Sequence, residues 1–282
     1  MKYSIVIPAH NEQDFITQTL ESLVNQTVLA SEIIVVDDNS TDKTAEIVKL
    51  FENKYNFIKL VKNTSSNEHL PGSKVINAFN KGFRFLESEY DIIVKADADL
   101  IFPNNYFEEI IRLFKSDNKT GIAGGFAYIE KNGEWILENL TDKEHVRGGF
   151  KAYRKTTFEK IGGLKPAMGW DTVDELLCRF YGWETATNVN LKVKHLKPTG
   201  ANYNKVARYK QGNAFYVLGY GFIITLIASL KLALRKKKPI LFIDYLIGFW
   251  KAKKNKTPKL VTLEQEHFIR QYRYKKMKEK LF

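Results

Sequence analysis

Four short apolar runs rich in β-branched residues, at residues 3–7, 32–36, 57–61 and 92–94, alternate with segments whose apolar positions recur every three or four residues. Runs of that length bounded by polar residues read as buried strands. Phe15, Ile16, Leu20, Leu23 and Val24 make one helical face, and residues 44–51 and 75–86 supply two more helices. Asp14 is expected to cap the first of these helices. Regular alternation of strand and helix implies an α/β fold built on a parallel, doubly wound sheet. In such a sheet the ligand crevice lies beyond the carboxyl ends of the strands.

Those ends are where the polar residues gather. Pro8-Ala9-His10-Asn11-Glu12 follows the first strand, Asp37-Asp38-Asn39-Ser40-Thr41-Asp42 the second, and Asp97-Ala98-Asp99 the fourth. Two carboxylates one residue apart at a strand end can face the same space, and like charges there are costly without a cation. A divalent ion with oxygen ligands is the natural occupant, with positions left for phosphate oxygens. A lone D-x-D also describes a strand ending in a solvated acidic turn; its weight comes from the other clusters at the same sheet edge. Neither G-x-G-x-x-G after the first strand nor G-x-x-x-x-G-K-[ST] occurs, so phosphates would have to be neutralised by metal and basic side chains.

A chain of 282 residues is long enough for one large α/β domain with an appendage. Its formal net charge of +12 favours an anionic partner such as nucleotide, nucleic acid or acidic lipid. The basic residues cluster beside apolar helical stretches rather than among exposed aromatics, so nucleic acid is not the expected partner. One cysteine, Cys178, excludes internal disulfides and a cysteine-rich zinc site and fits a reducing compartment. The first apolar run is too short for a signal peptide, which places the catalytic part in the cytoplasm.

The motifs Ile7-Pro8-Ala9-His10-Asn11-Glu12, Val35 to Asp42, Gly72-Ser73-Lys74 through Ala78, Asn80 and Gly82, and Asp97-Ala98-Asp99 stand in a telling order and spacing. They resemble family 2 glycosyltransferases with the GT-A fold, of the membrane-associated bacterial type, over roughly the first two-thirds of the chain. The resemblance implies a Rossmann-like, doubly wound, mostly parallel mixed sheet in a catalytic domain of residues 1–205. Its nucleotide-sugar half would cover about residues 1–100 and its acceptor half residues 101–205, followed by a helical extension over 206–282. It also implies Mn2+ or Mg2+ and inverting transfer from a UDP- or GDP-linked sugar to an acceptor hydroxyl, in surface polysaccharide or lipid-linked glycan synthesis. Position by position, Asp38 supported by Asp37 would meet the base, with Pro8, Ala9 and Glu12 lining the pocket and Lys74 reaching a phosphate. Asp97 and Ala98 would border the ribose, Asp97 sometimes the metal, Asp99 would ligate the metal directly, and His195 would approach metal or diphosphate. The residues alone leave Glu12 as a helix-leading acid, Lys74 as a solvated lysine and His195 as a structural imidazole.

The acceptor side falls in the second half. Arg147-Gly148-Gly149 through Arg154 and Ile161-Gly162-Gly163-Leu164 resemble family segments, which places Gly148, Gly149 and Trp170 near the acceptor. Relatives carry Glu-Asp-x-Asp-Leu, with an aspartate as general base. Here the run is Trp170-Asp171-Thr172-Val173-Asp174-Glu175-Leu176, with the order of acids reversed. Asp174 is the first candidate for the base, Asp171 the second, and Glu175 is a third acid that also suits a helix first turn.

Beyond Gly200 the composition shifts. Residues 214–230 carry no charge, Arg235-Lys236-Lys237-Lys238 follows, and a second apolar piece over 240–250 ends in Lys251, Lys253, Lys254 and Lys256. Apolar helices ended by basic clusters read as insertion into an acidic leaflet at the cytoplasmic face of the cell membrane, spanning, re-entrant or interfacial. A buried helical hairpin or a homodimer interface accounts for the same pattern. Thr262 and Gln265 form a capping box for a last helix. A nucleotidyltransferase would carry a glycine-rich basic loop after its first strand. A non-enzymatic membrane- or nucleic-acid-binding protein would not need the full set of acids.

Overall fold

The computed structural model describes residues 1–65, 72–138, 144–197 and 209–279, in two units. The first comprises Met1–Pro166 with Tyr181–Thr199, the second Ala167–Phe180 with Gly200–Phe282. The expected domain boundary at 205–206 lies outside the described residues.

The first unit is built on β1 (Tyr3–Ala9), β2 (Glu32–Asp38), β3 (Ile58–Asn63) and β4 (Ile92–Ala96), hydrogen-bonded in the order β3-β2-β1-β4 and all parallel. Helices α1 (Ile16–Val24), α2 (Thr44–Lys54) and α3 (Ser73–Phe83) connect them. The runs of β1, β2 and β4 are buried on both faces, as parallel strands under helices must be, while β3, at the end of the sheet order, is largely half-buried. At Gly82 of α3 a Cβ would stand 2.5 Å from Val36 and 2.7 Å from Val6, so glycine lets the helix lie close on the sheet. Asp14 does not cap α1. Phe15 holds the N-cap position without a side-chain bond, and the Glu12 carbonyl takes the N–H groups of Phe15 and Ile16 at 3.0 and 2.9 Å. A backbone turn therefore satisfies donors that a capping carboxylate would otherwise accept.

Past β4 come β5 (Leu100–Ile101), α4 (Tyr106–Ser116), β6 (Thr120–Lys131), β7 (Glu134–Leu137), β8 (Phe150–Arg154), α5 (Lys155–Lys160) and β9 (Glu184–His195). Among the described residues nine strands form one sheet, continuing β4-β8-β6-β9-β5 with β7 paired to β6. β8 runs antiparallel to both β4 and β6. Tyr3, Phe102, Tyr106 and Phe107 interlock beneath this half, with the Tyr3 and Phe107 ring centroids 4.5 Å apart.

The second unit holds α6 (Trp170–Phe180), α7 (Lys210–Val217), α8 (Gly221–Arg235), α9 (Ile240–Lys254) and α10 (Leu263–Lys278). The uncharged run at 214–230 is not one helix. It breaks between α7 and α8 at Gly219, whose φ of 74° suits glycine. α7 and α9 meet backbone to backbone: a Cβ at Gly212 would strike the Tyr245 carbonyl, and one at Gly248 the Tyr209 carbonyl. The Thr262–Gln265 capping box opens α10, with both of its bonds formed. Among the described residues no helix is long and apolar enough to cross a membrane.

Candidate active site

A cavity of about 630 Å³ opens at the carboxyl ends of β1, β2 and β4, within the first unit. Parallel pairing sets Ala9 opposite Asp37, so the β1 and β2 ends reach the same edge. Pro8, Ala9, Glu12, Asp38, Lys74, Asp97, Ala98 and Asp99 all line the cavity. Asp37 does not; it turns to accept the Ser40 N–H at 3.3 Å and holds the loop behind Asp38. One Asp38 oxygen accepts from Asn63 at 2.8 Å, which aims the carboxylate. His10, Asn39, Ser65, Val75 and Ala78 also line the space. His10 Nδ1 lies 2.6 Å from the Asp38 carbonyl, and Asn39 takes a left-handed conformation with φ of 58° that asparagine tolerates. Lys74, Val75 and Ala78 belong to the first turns of α3, so the partial positive end of that helix meets the cavity.

The turn carrying Asp97 and Asp99 is fixed from three sides. The Asp97 N–H donates to the Gly149 carbonyl at 2.7 Å. Lys95, buried on β4, pairs with the Asp97 carboxylate. From α1, the buried Thr19 hydroxyl donates to the Ala98 carbonyl at 2.7 Å and accepts the Leu100 N–H at 3.0 Å. Thr19 escapes sequence reasoning, although a hydroxyl on an otherwise apolar helix face was a signal that it had a buried partner. Gly149 therefore supports Asp97 directly, while Gly148 adjoins it on the same loop.

Pairing of β5 with β9 sets His195 opposite Leu100 and thereby beside Asp99, with Nε2 3.4 Å from the carboxylate. Nδ1 faces Glu138 at 3.3 Å, and Glu138 in turn accepts from Arg147 at 2.8 Å. Burial by itself would depress His195, but the carboxylates of Asp99 and Glu138 on its two ring nitrogens outweigh it and push the imidazole up to about 9. At neutral pH His195 is then an imidazolium and must shed its proton to ligate a metal. Glu12 meets Lys197 at 2.8 and 2.9 Å. Burial raises the Glu12 carboxyl, Lys197 opposes that, and Asp99 and Asp97 add to the rise.

Among the described residues no group of three or more His, Cys, Asp or Glu side chains is arranged to hold a metal. Of the predicted metal-site residues, Asp97 and Asp99 line the cavity, Asp97 tied to Lys95, while His195 is not among the lining residues and reaches the site only through Asp99, 3.4 Å from its Nε2. Such an O/N donor pair fits a divalent cation that takes its remaining ligands from diphosphate and water, and does not fit a closed structural site.

The acids of α6 lie in the second unit. Asp171 is half-buried, Glu175 is buried, and Asp174 is buried with one oxygen accepting the Glu175 N–H at 2.6 Å. Trp170 is buried at the start of the helix. Burial lifts the Tyr220 hydroxyl; Arg273, which donates to it at 2.5 Å, works the other way, and the charges of Asp171 and Glu175 reinforce the rise. The acids thus share their unit with a cationic stretch of α10.

The family described as Glycosyl transferase family 2 matches residues 4–169. Probable glycosyltransferase YdaM of Bacillus subtilis is 34% identical over 202 residues, covering 64% of this chain and 46% of that protein. Dolichol-phosphate mannosyltransferase of Pyrococcus furiosus is 31% identical over 199 residues, covering 64% and 53%. The matched region thus spans about half the length of these curated relatives. Staphylococcus aureus TarS in complex with UDP-GlcNAc superposes with a TM-score of 0.59 at 18% identity, covering 82% of this chain and 67% of that one. Mannosyltransferase PcManGT from Pyrobaculum calidifontis in complex with GDP-Man and Mn2+ gives 0.60 at 16%, covering 90% and 75%. At such identities the likeness is one of fold, the mixed α/β GT-A architecture.

Proposed function

This chain belongs to glycosyl transferase family 2, and from that premise we propose that it moves a sugar, with inversion, from a UDP- or GDP-linked donor to a hydroxyl of a glycan or lipid-linked glycan. The observation that carries the reading is the opening of acids from separate strand tips, Asp38 after β2 and Asp97 and Asp99 after β4, into one cavity beside Lys74 and the α3 N-terminus. The bound nucleotides in the TarS and PcManGT structures, which share the fold, support the same class of donor.

Asp38 accepts an N–H of the base edge, a donor that uracil and guanine both present. Asp97, held by Gly149 and Lys95, faces the ribose hydroxyls. Lys74 and the α3 N-terminus stabilise charge on the diphosphate. Asp99 and His195 would hold Mn2+ or Mg2+, which when bound supplies Lewis-acid stabilisation of the diphosphate leaving group. An α6 aspartate, Asp174 or Asp171, takes the proton of the acceptor hydroxyl as its oxygen bonds to the anomeric carbon. The bond from that carbon to the phosphate oxygen breaks on the opposite side, and the diphosphate leaves with the electron pair. One displacement gives one inversion, and no covalent nucleophile is required. A cytoplasmic site of action is part of the proposal, supported by a single buried cysteine.

The test is a thermal-shift panel of UDP, GDP and ADP with and without Mn2+, followed by transfer assays on Asp174→Asn and Asp171→Asn. The expected result is a rise in Tm with UDP or GDP that needs the cation. One of the two variants should keep donor binding and lose transfer. Failure of every nucleoside diphosphate to shift Tm with cation present sinks the reading.

A further inference from the structure

We infer that α8 and α9 present a face that seats in the headgroup region of an anionic lipid bilayer. The observation is inverted amphipathicity. On α8 the buried positions are Ile224, Thr225, Ser229 and Ala233, so two hydroxyls, a methyl group and a single large aliphatic side chain face inward. The large apolar residues Phe222, Ile223, Leu226, Ile227, Leu230 and Leu234 face out, each between 37% and 68% exposed. The Thr225 hydroxyl satisfies itself on the Gly221 carbonyl at 2.7 Å, which is how it tolerates burial. α9 is mixed: Asp244, Tyr245, Gly248, Phe249 and Ala252 are buried, while Ile240, Ile243 and Trp250 are exposed and extend the outward apolar face. Phe222 and Trp250 lie with ring centroids 5.6 Å apart, joining the two faces at one end of the pair. Scattered exposed apolar side chains are ordinary on a protein surface, but a contiguous stripe opposite a partly polar buried face marks an interaction surface.

Charge selects the occupant. Residues 221–262 contain ten lysines and arginines and one acid, Asp244, which is buried. Arg235, Lys236, Lys237 and Lys238 flank one end of the helix pair and Lys251, Lys253 and Lys254 the other, all exposed. Such a face repels a copy of itself and attracts anionic headgroups, and long lysine stems let the apolar stripe sink while the ammonium groups stay at phosphate level. At 15 residues α8 is about 22 Å long, short of a hydrocarbon core of about 30 Å, so the pair lies in the interface rather than crossing it. The inference goes beyond the sugar-transfer reading and does not depend on it.

The full chain is sedimented with vesicles of phosphatidylcholine alone and of phosphatidylcholine with about one-third phosphatidylglycerol. Three variants accompany it: Ile223→Gln with Ile227→Gln and Leu230→Gln, Lys236→Gln with Lys237→Gln and Lys238→Gln, and Trp250→Phe. The substituted side chains are exposed, and an unchanged Tm verifies folding. The chain should prefer the anionic vesicles by about ten-fold or more. The apolar-face variant should lose about ten-fold in binding at unchanged net charge, and the lysine variant several-fold. Brominated lipid should quench a component of fluorescence that Trp250→Phe removes. Equal binding of the apolar-face variant, or a dimer that this variant converts to monomer without any change in vesicle binding, overturns the inference. Sugar transfer to a soluble acceptor is read separately, so either proposal can fail without the other.

Discussion

The carbonyl of Gly149 accepts the amide N–H of Asp97 at 2.7 Å, and a Cβ at Gly149 would stand 2.7 Å from the Asp97 carboxylate. The loop before β8 and the acid after β4 are therefore spatially one feature. Gly149→Ala should displace the Asp97 carboxylate by a few tenths of an ångström or swing it away from Lys95. A loss of about ten-fold or more in donor kcat/KM is expected, which is about 1.4 kcal/mol of transition-state stabilisation, with a small change in Tm. Unaltered kinetics with a fully folded variant would show that Asp97 has no role in donor binding.

Asp99 and His195 stand 3.4 Å apart as the carboxylate and imidazole donors of the proposed cation site. Asp99→Ala should abolish the part of the nucleotide-induced rise in Tm that requires Mn2+, leaving the protein folded. His195→Ala should weaken Mn2+ more than Mg2+, since imidazole suits the softer ion. Titration calorimetry with each metal in the presence of UDP or GDP reads both effects. Metal affinity unchanged in Asp99→Ala moves the cation elsewhere.

Glu32, buried at the start of β2, meets Lys59 at 2.9 Å and accepts the N–H groups of Glu87 and Ser88 at 2.9 Å each. Burial alone would raise its carboxyl. The Ser88 amide, the Lys59 ammonium and the Glu87 amide outweigh that and hold it below its ordinary value of 4.5. A depressed carboxylate contributes stability that is present above the unfolded value and fades as pH falls through the folded one. Glu32→Gln should cost about 1–3 kcal/mol at pH 7. The gap between variant and parent should close toward pH 3, as read from urea midpoints along a pH series. Parallel curves would contradict the assignment.

Gly212 of α7 leaves no room for a side chain against the Tyr245 carbonyl of α9. Gly212→Ala should force the two backbones apart and destabilise the second unit by about 1–3 kcal/mol. Circular dichroism and Trp250 fluorescence during urea unfolding should report an earlier transition of the helical unit, with the sheet-bearing unit unmoved. An unshifted transition would mean that α7 and α9 do not pack this closely in solution.

The strands β1 to β4, the helices between them and the placing of Asp38, Asp97 and Asp99 at strand ends were all legible in the residues. So was the Thr262–Gln265 capping box. Each of these rests on interactions between residues a few positions apart, where apolar periodicity and turn chemistry act directly. Tertiary structure decided which acid of the Asp37–Asp38 pair faces the cavity, the antiparallel insertion of β8, and the support of Asp97 by Gly149 and Lys95. It also decided the row from Asp99 through His195 and Glu138 to Arg147, which exists because β5 and β9 pair in one register. In the C-terminal stretch the sequence determined that apolar and basic residues alternate in blocks. Only the packed helices decided that Thr225, Ser229 and Asp244 turn inward while Ile223, Leu226, Ile227, Leu230 and Ile243 face out, because burial of a helix face is set by what packs against it and not by the helix's own composition.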